Sequence, residues 1–402
     1  ALMSMVPSCG LLPLLWGSGG RVAKILRRTV FGSKNNDLSK GNPNRAKSFI
    51  IPYDHMKRPN KIVVGKMKVR NQMILLLSLS FFVMSCQKAG PTGPTPPSGQ
   101  GYNYYYTGSP ADAVTAFSPG YVLMGGGSDV DEAFRWMIQR SGGGDFLMIR
   151  ASGSDAYNPY VASLGQVDSV ETLLVHSRTG AGDPFVVNKV RNAEALLIAG
   201  GDQADYLRLW KGTGLNEAIN YAISRGVPVG GTSAGLAVLG EFVFSALNGT
   251  VNSPEAMANP YNSHVTLDRD FLTVLALRAV IADSHFVSRK RMGRLLVFLA
   301  RIIKDGWAGE TKGIGIDEGT ALLVETNGSA QPVGLGAAYF LLADHVPEVC
   351  QPSTPLTFSH VPVYKIQPGG TFNLLTWQGS GGAHYSLSVS IGIISSSTGS
   401  IY

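Results

Sequence analysis

Val227-Pro-Val-Gly-Gly-Thr-Ser233-Ala-Gly-Leu-Ala-Val-Leu239 is the stretch that decides how this chain is read. A short apolar run, a turn of small residues and a second apolar run predict strand, tight turn and helix. Within it, Gly231-Thr232-Ser233-Ala234-Gly235 has the pattern G-x-S-x-G. Small flanking residues permit a strained turn that pushes a serine hydroxyl out over the edge of a sheet. The helix that follows aims its first N–H groups at the same point, where they can stabilise an oxyanion. Ser233 is therefore a candidate nucleophile, and capping the helix is the other use such a serine can have.

Upstream, the same rhythm recurs. Tyr121–Met124 is an apolar run closed by Gly125-Gly126-Gly127, and a helix-like segment runs from Asp129 to Gln139. Further apolar runs lie at Asp145–Ile149, Thr172–Val175 and Ala195–Ile198, with an amphipathic stretch at Leu215–Ser224. Near-continuous apolar strands separated by helices predict an α/β fold, doubly wound on a mostly parallel sheet, with the active site at the carboxyl edge of the strands. Beyond residue 351, Thr357–Ile366 and Ser386–Ile394 alternate as strands do, predicting a small C-terminal β-rich extension.

A serine nucleophile needs a base. His285 follows the apolar run Ala279–Ile281 and so falls at a strand end, as Ser233 does. The sequence leaves this histidine evenly balanced between catalysis and structure. The third member should be a buried carboxylate, and Asp317 and Glu318 lie between apolar stretches. If the strand persists to 318, Glu318 shares a face with Ile314 and Ile316, and an acid there needs a partner. Turn chemistry serves either acid equally well. Arg289, Arg291 and Arg294 open the helix-like run 288–300. Arginines on a helix surface are ordinarily solvated, but cations in a first helical turn are disfavoured by ~0.3–1 kcal/mol, which points to an anionic ligand, and Arg291 and Arg294 share a helix face.

Four separated motifs occur together: Gly200-Gly201-Asp202-Gln203, Gly230–Gly235, Asp283-Ser284-His285-Phe286 with the arginines after it, and Gly315–Ala321. Over roughly residues 115–350 the chain resembles cyanophycinase and its relatives, in the serine peptidase family that also contains aspartyl dipeptidase. The resemblance implies a fold akin to class I glutamine amidotransferases and a Ser233–His285–Glu318 triad, without metal or cofactor. It implies an oxyanion site at the N–H of Ala234 and that of Gly200 or Gly201. Gln203, Asp283, Arg289, Arg291 and Arg294 become the substrate-pocket group. The substrate it implies is peptide-like, a β-linked aspartyl amide such as cyanophycin or a β-aspartyl dipeptide. Position 284 is Ser where cyanophycinases of the cyanobacterial type carry Asp-Gln-His, a change that bears on substrate and leaves the triad intact. Two alternatives stand beside it: an α/β-hydrolase esterase using Asp344 with His360 or His384, and an inactive, surface-anchored binding protein.

The formal charge of +7 is unevenly spread. Residues 1–66 carry +10 and Lys68 and Arg70 a further +2, leaving 86–402 at −5. The basic character lies outside the expected catalytic part, so nucleic acid is excluded as a partner. A homodimer is left open. Cys9, Cys86 and Cys350 form neither a disulfide framework nor a zinc pattern. Met67–Cys86 has two cations, an uncharged run from Met73 to Met84, and then Ser85-Cys86. This predicts a lipoprotein signal peptide over 67–85, with Cys86 lipidated and membrane-anchored on the periplasmic or cell-surface side; a signal anchor or a buried core helix is the other reading of such a run. Residues 1–66 are then expected to be upstream translation absent from the mature protein. Residues 86–108 read as a Pro/Gly-rich linker, 109–350 as the hydrolase domain and 351–402 as the β-rich tail.

Overall fold

Five of the apolar runs lie side by side as parallel strands in a computed structural model, which describes residues 99–402. Their order is Ser169–Val175, Asp145–Arg150, Ala195–Ile198, Val229–Thr232 and Tyr121–Met124. Successive side chains point to opposite faces of a strand. Leu147 and Ile149 enter one apolar cluster, and Phe146 and Met148 enter another. Both faces of this core are therefore buried, which is why its strands read as unbroken apolar runs rather than as alternating ones. The predicted helices form at Asp131–Arg140 and Gly214–Arg225, the second ended by Gly226 in a left-handed conformation. The expected upstream segment 1–66, the signal peptide, Cys86 and the first part of the linker lie outside the described residues.

Antiparallel strands extend the parallel core on both sides into a ten-stranded sheet. Tyr102–Gly108 pairs at one edge, and Thr320–Val324 and Ser329–Gly334 continue the other. A second, eight-stranded sheet holds Phe242–Phe244, Val280–Asp283 and Thr311–Ile316 as parallel neighbours, with antiparallel strands outside them. The fold is mixed α/β with parallel and antiparallel pairing in two sheets, whereas the sequence predicts a single, mostly parallel one. The division arises at Asp317-Glu318-Gly319, where the chain leaves Thr311–Ile316 in one sheet and enters Thr320–Val324 in the other.

The tail beyond 351 is woven into both sheets. Phe358–Ile366 and Ala383–Ser390 extend the eight-stranded sheet, while Thr371–Asn373 and Gln378–Ser380 extend the ten-stranded one. Helix Met292–Lys304 is buried along nearly its whole surface and packs against the second sheet. Among the described residues no helix is long and apolar enough to cross a membrane.

Candidate active site

Ser233 sits where strand Val229–Thr232 ends, with φ 54° and ψ −112°. Such a backbone is strained for a residue with a side chain, by about 1–3 kcal/mol, and persists only where its surroundings dictate it. They do so here through close approach. A Cβ at Gly231 would fall on the Gly235 backbone, and one at Gly235 would fall on the Ile198 carbonyl. The two glycines of G-x-S-x-G are thus what lets the turn close against the neighbouring strand. The helix that follows is a single turn, Ala234–Ala237, shorter than the apolar run to Leu239 suggests.

His285 ends the corresponding strand of the second sheet, Val280–Asp283, and also has a left-handed backbone, φ 47°. Its Nε2 lies 2.7 Å from Ser233 Oγ, and its Nδ1 lies 2.5 Å from Glu318 Oε1. Because Nδ1 faces a carboxylate, it carries the proton, which leaves Nε2 as the acceptor toward the serine hydroxyl. Burial holds the imidazole below the ordinary histidine range; Glu318 pulls the other way, while Arg289 and Arg291 reinforce the depression. The ring is therefore neutral near pH 7, as a proton acceptor must be. Neither His360 nor His384 is hydrogen-bonded to Ser233, and Asp344 pairs with His345.

Glu318 is not the buried acid that strand parity suggests. The strand stops at Ile316, and Glu318 lies in the turn that crosses between sheets with its side chain 39% exposed. Its hydrogen bond to His285 holds it below the usual carboxylate range. Asp317 has the turn chemistry instead: its carboxylate accepts the N–H of Val287 at 3.0 Å and of Ala337 at 3.1 Å.

Asp283 and the arginines also differ from expectation. Arg294 is 2% exposed, and its Nε and Nη2 form a fork on Asp283 at 2.7 and 2.6 Å. Its fork is thus taken internally rather than offered to a ligand, and Asp283 is buried beneath it instead of facing the pocket. Arg291 donates from one Nη1 to Asp283 at 3.1 Å and to the Ser284 carbonyl at 2.9 Å. Burial pushes its guanidinium down to about 10, Asp283 offsetting only part of that cost. Arg289 is exposed; its backbone N–H donates to the His285 carbonyl at 3.0 Å, and its side chain has no hydrogen-bond partner among the described residues. The helix begins only at Met292, so neither Arg289 nor Arg291 lies within its first turn.

Arg289, Arg291 and part of Arg294 line a cavity of about 820 Å³ together with Gly201 and Gln203. Gln203 holds one wall by donating to the Phe244 carbonyl at 3.3 Å. A Cβ at Gly200 would lie 3.5 Å from that of Ser233, which puts Gly200, the neighbour of the cavity-lining Gly201, beside that serine. The N–H groups of Ala234, Gly200 and Gly201 have no protein acceptor among the described residues. Asp202, Asn252, Glu255 and His264 line the same cavity. Sequence patterns gave no hint of Asn252 and Glu255, which form a capping box, a local signal that says nothing of a cavity. Among the described residues no group of three or more His, Cys, Asp or Glu could hold a metal ion.

The sequence profile of peptidase family S51 matches residues 128–331, half of the chain. The chain belongs to peptidase family S51. Its match to the cyanophycinase of Synechococcus elongatus is 28% identical over 218 residues, covering 53% of this chain and 62% of that protein. The cyanophycinase of Nostoc sp. is 28% identical over 213 residues, covering 52% and 66%. In both cases the chain spans less than two thirds of the relative's length. A crystal structure of a peptidase from an acI-B1 Actinobacterium aligns with a TM-score of 0.41 at 20% identity, covering 56% of this chain and 91% of that one.

Proposed function

We propose that this protein is a serine peptidase of the cyanophycinase type, hydrolysing β-linked aspartyl amide bonds through a Ser233–His285–Glu318 triad. The observation that carries this is the unbroken hydrogen-bond chain from Ser233 Oγ through the imidazole to Glu318. His285 Nε2 takes the hydroxyl proton as Ser233 Oγ attacks the scissile carbonyl carbon. The tetrahedral oxyanion is held by the N–H of Ala234 and one from Gly200 or Gly201. Collapse expels the amine, which leaves with the proton from Nε2, and the acyl group stays on Ser233. Water, deprotonated by the same nitrogen, then releases the acid and restores the serine.

Substrate choice follows from charge. Arg291 and Arg294 share the single carboxylate of Asp283, and Arg289 adds a third cation at the cavity. Exposed Arg289 and the remaining donors of Arg291 suit a substrate with a free carboxylate beside the scissile amide, while Asp202 and Glu255 on the same lining balance the charge elsewhere. We extend the proposal to the fold, taking the parallel core as the doubly wound sheet of the class I glutamine amidotransferases. We extend it also to localisation, with Cys86 as the lipid anchor.

The test is to label the purified protein with a fluorophosphonate and to incubate it with cyanophycin and with β-aspartyl-arginine. Ser233→Ala should abolish both labelling and hydrolysis while leaving thermal unfolding unchanged. Hydrolysis persisting in that variant overturns the proposal.

A further inference from the structure

The three triad residues come from segments 52 and 33 residues apart in sequence, and from two different sheets. One loop touches all of them. Three successive carbonyls at the end of strand Tyr121–Met124 each accept an N–H from one triad segment. Met124 accepts from Ser233 at 3.0 Å, Gly125 from His285 at 2.8 Å, and Gly126 from Gly319, next to Glu318, at 2.9 Å. The N–H of Gly125 in turn donates to the Thr320 carbonyl at 2.8 Å, so the turn bearing Glu318 is held from two sides.

Three glycines offer no side-chain chemistry; they supply backbone groups and empty space. A Cβ at Gly126 would lie 2.6 Å from His285 Nε2 and 3.0 Å from Ser233 Cβ. A Cβ at Gly127 would lie 2.9 Å from Glu318 Cβ. Both have positive φ, +83° and +75°, so the loop presses its backbone against the triad in a conformation that residues with side chains rarely adopt. We infer that the Met124–Gly127 loop is the positioning device of the triad, with Gly126 setting the Ser233–His285 hydrogen bond and Gly127 setting Glu318 against His285 Nδ1. The inference rests on the catalytic assignment of Ser233 proposed above.

Each glycine governs one half of the relay, so substitutions one residue apart should have different consequences. In Gly126→Ala the new methyl group displaces the imidazole from the serine and leaves the Glu318 side free. In Gly127→Ala it displaces Glu318 and leaves the backbone bond from His285 to Gly125 in place. The experiment compares both variants with the full-length wild type by three measurements. These are the rate of fluorophosphonate labelling at Ser233, its pH dependence, and the downfield proton NMR signal of a His285 Nδ1–H bound to carboxylate.

Gly126→Ala should label about 100-fold more slowly, the cost of a displacement of roughly 1 Å, while keeping the downfield signal. Gly127→Ala should lose that signal, and its labelling midpoint should move to lower pH, because Glu318 no longer favours the imidazolium. Labelling of Gly126→Ala within about threefold of wild type, which is below 1 kcal/mol, overturns the inference. Loss of labelling, NMR signal and thermal stability together in both variants overturns it too, since that marks a purely structural loop. If the wild type itself resists labelling, the catalytic assignment falls, and the NMR comparison still judges the positioning. Should Gly126→Ala fail to fold, Gly127→Ala decides alone: a retained downfield signal refutes the inference.

Discussion

Replacing Asp283 with Asn removes the one carboxylate on which two guanidiniums depend. Oδ1 accepts from Arg294 Nη2 at 2.6 Å, from Arg291 Nη1 at 3.1 Å and from the Ser284 N–H at 2.9 Å. Oδ2 accepts from Arg294 Nε at 2.7 Å. An asparagine can keep the first set with its carbonyl oxygen, but it then presents an NH₂ group to Arg294 Nε, donor against donor. It also leaves both cations without a counter-charge. Breaking a buried ion pair from one side costs about 3–5 kcal/mol. At about 2 °C per kcal/mol for a domain of this size, Tm should fall by roughly 6–10 °C. The double variant Asp283→Asn/Arg294→Met should be less destabilised than the sum of the two singles, because no unpaired Arg294 charge remains. Burial pushes the Asp283 carboxyl up, but Arg294 and Arg291 outweigh it and hold the group below its usual range. Its contribution is therefore complete above the pKa of an unfolded aspartate and is lost as pH falls through the lower folded value. Thermal unfolding followed by circular dichroism between pH 2 and 7 measures both effects. If Asp283→Asn melts within about 2 °C of the wild type and only substrate affinity suffers, Asp283 faces the ligand and the buried-pair account is wrong.

Glu318→Gln should lower kcat by roughly 10- to 100-fold, the worth of one charge-assisted hydrogen bond at a partly exposed site, with KM little changed. A loss approaching that of Ser233→Ala would mean that Glu318 does more than orient the imidazole. Because burial depresses His285, labelling of Ser233 should rise with pH through a midpoint below about 6.5 and then level off, as deprotonation creates the base; a midpoint above neutrality contradicts this. Arg289→Ala should raise KM for a β-aspartyl-arginine substrate about tenfold or more and leave Tm unchanged, since the side chain is exposed. A substrate amidated at its free carboxylate should show no such difference, and equal losses on both substrates would count against carboxylate recognition.

What could be read in advance depended on the range of the physics involved. The Ser233 turn was legible because its sterics are contained within five residues, Gly231 to Gly235. His285 was legible as a strand-end residue because Ala279–Ile281 marks the strand. The choice of Glu318 over Asp317 came from the family motif; the parity argument fails because the strand stops at Ile316, two residues short. Periodicity could not tell whether Arg294 points inward or outward. Helix Met292–Lys304 is buried nearly all round, and the carboxylate that decides the matter lies eleven residues back. Nor could apolar runs reveal the division into two sheets, since a buried strand reads alike in either. The triple glycine at 125–127 looked like a simple strand stop because its contacts are with segments remote in sequence.

The crossing of the chain between sheets at Glu318 ties the proposed chemistry to the order in which the molecule is completed. Strand Tyr121–Met124 finds its parallel partner in Val229–Thr232, so the serine turn can form once that much of the chain exists. The Ser233–His285 contact cannot form until the second sheet has docked, and Glu318 arrives last, just before Thr320–Val324 adds to the edge of the first. A nascent chain or a half-unfolded one would carry the serine without its base. On the proposed triad such a chain would lack an activated serine, and recovery of Ser233 reactivity during refolding would time the docking of the two sheets.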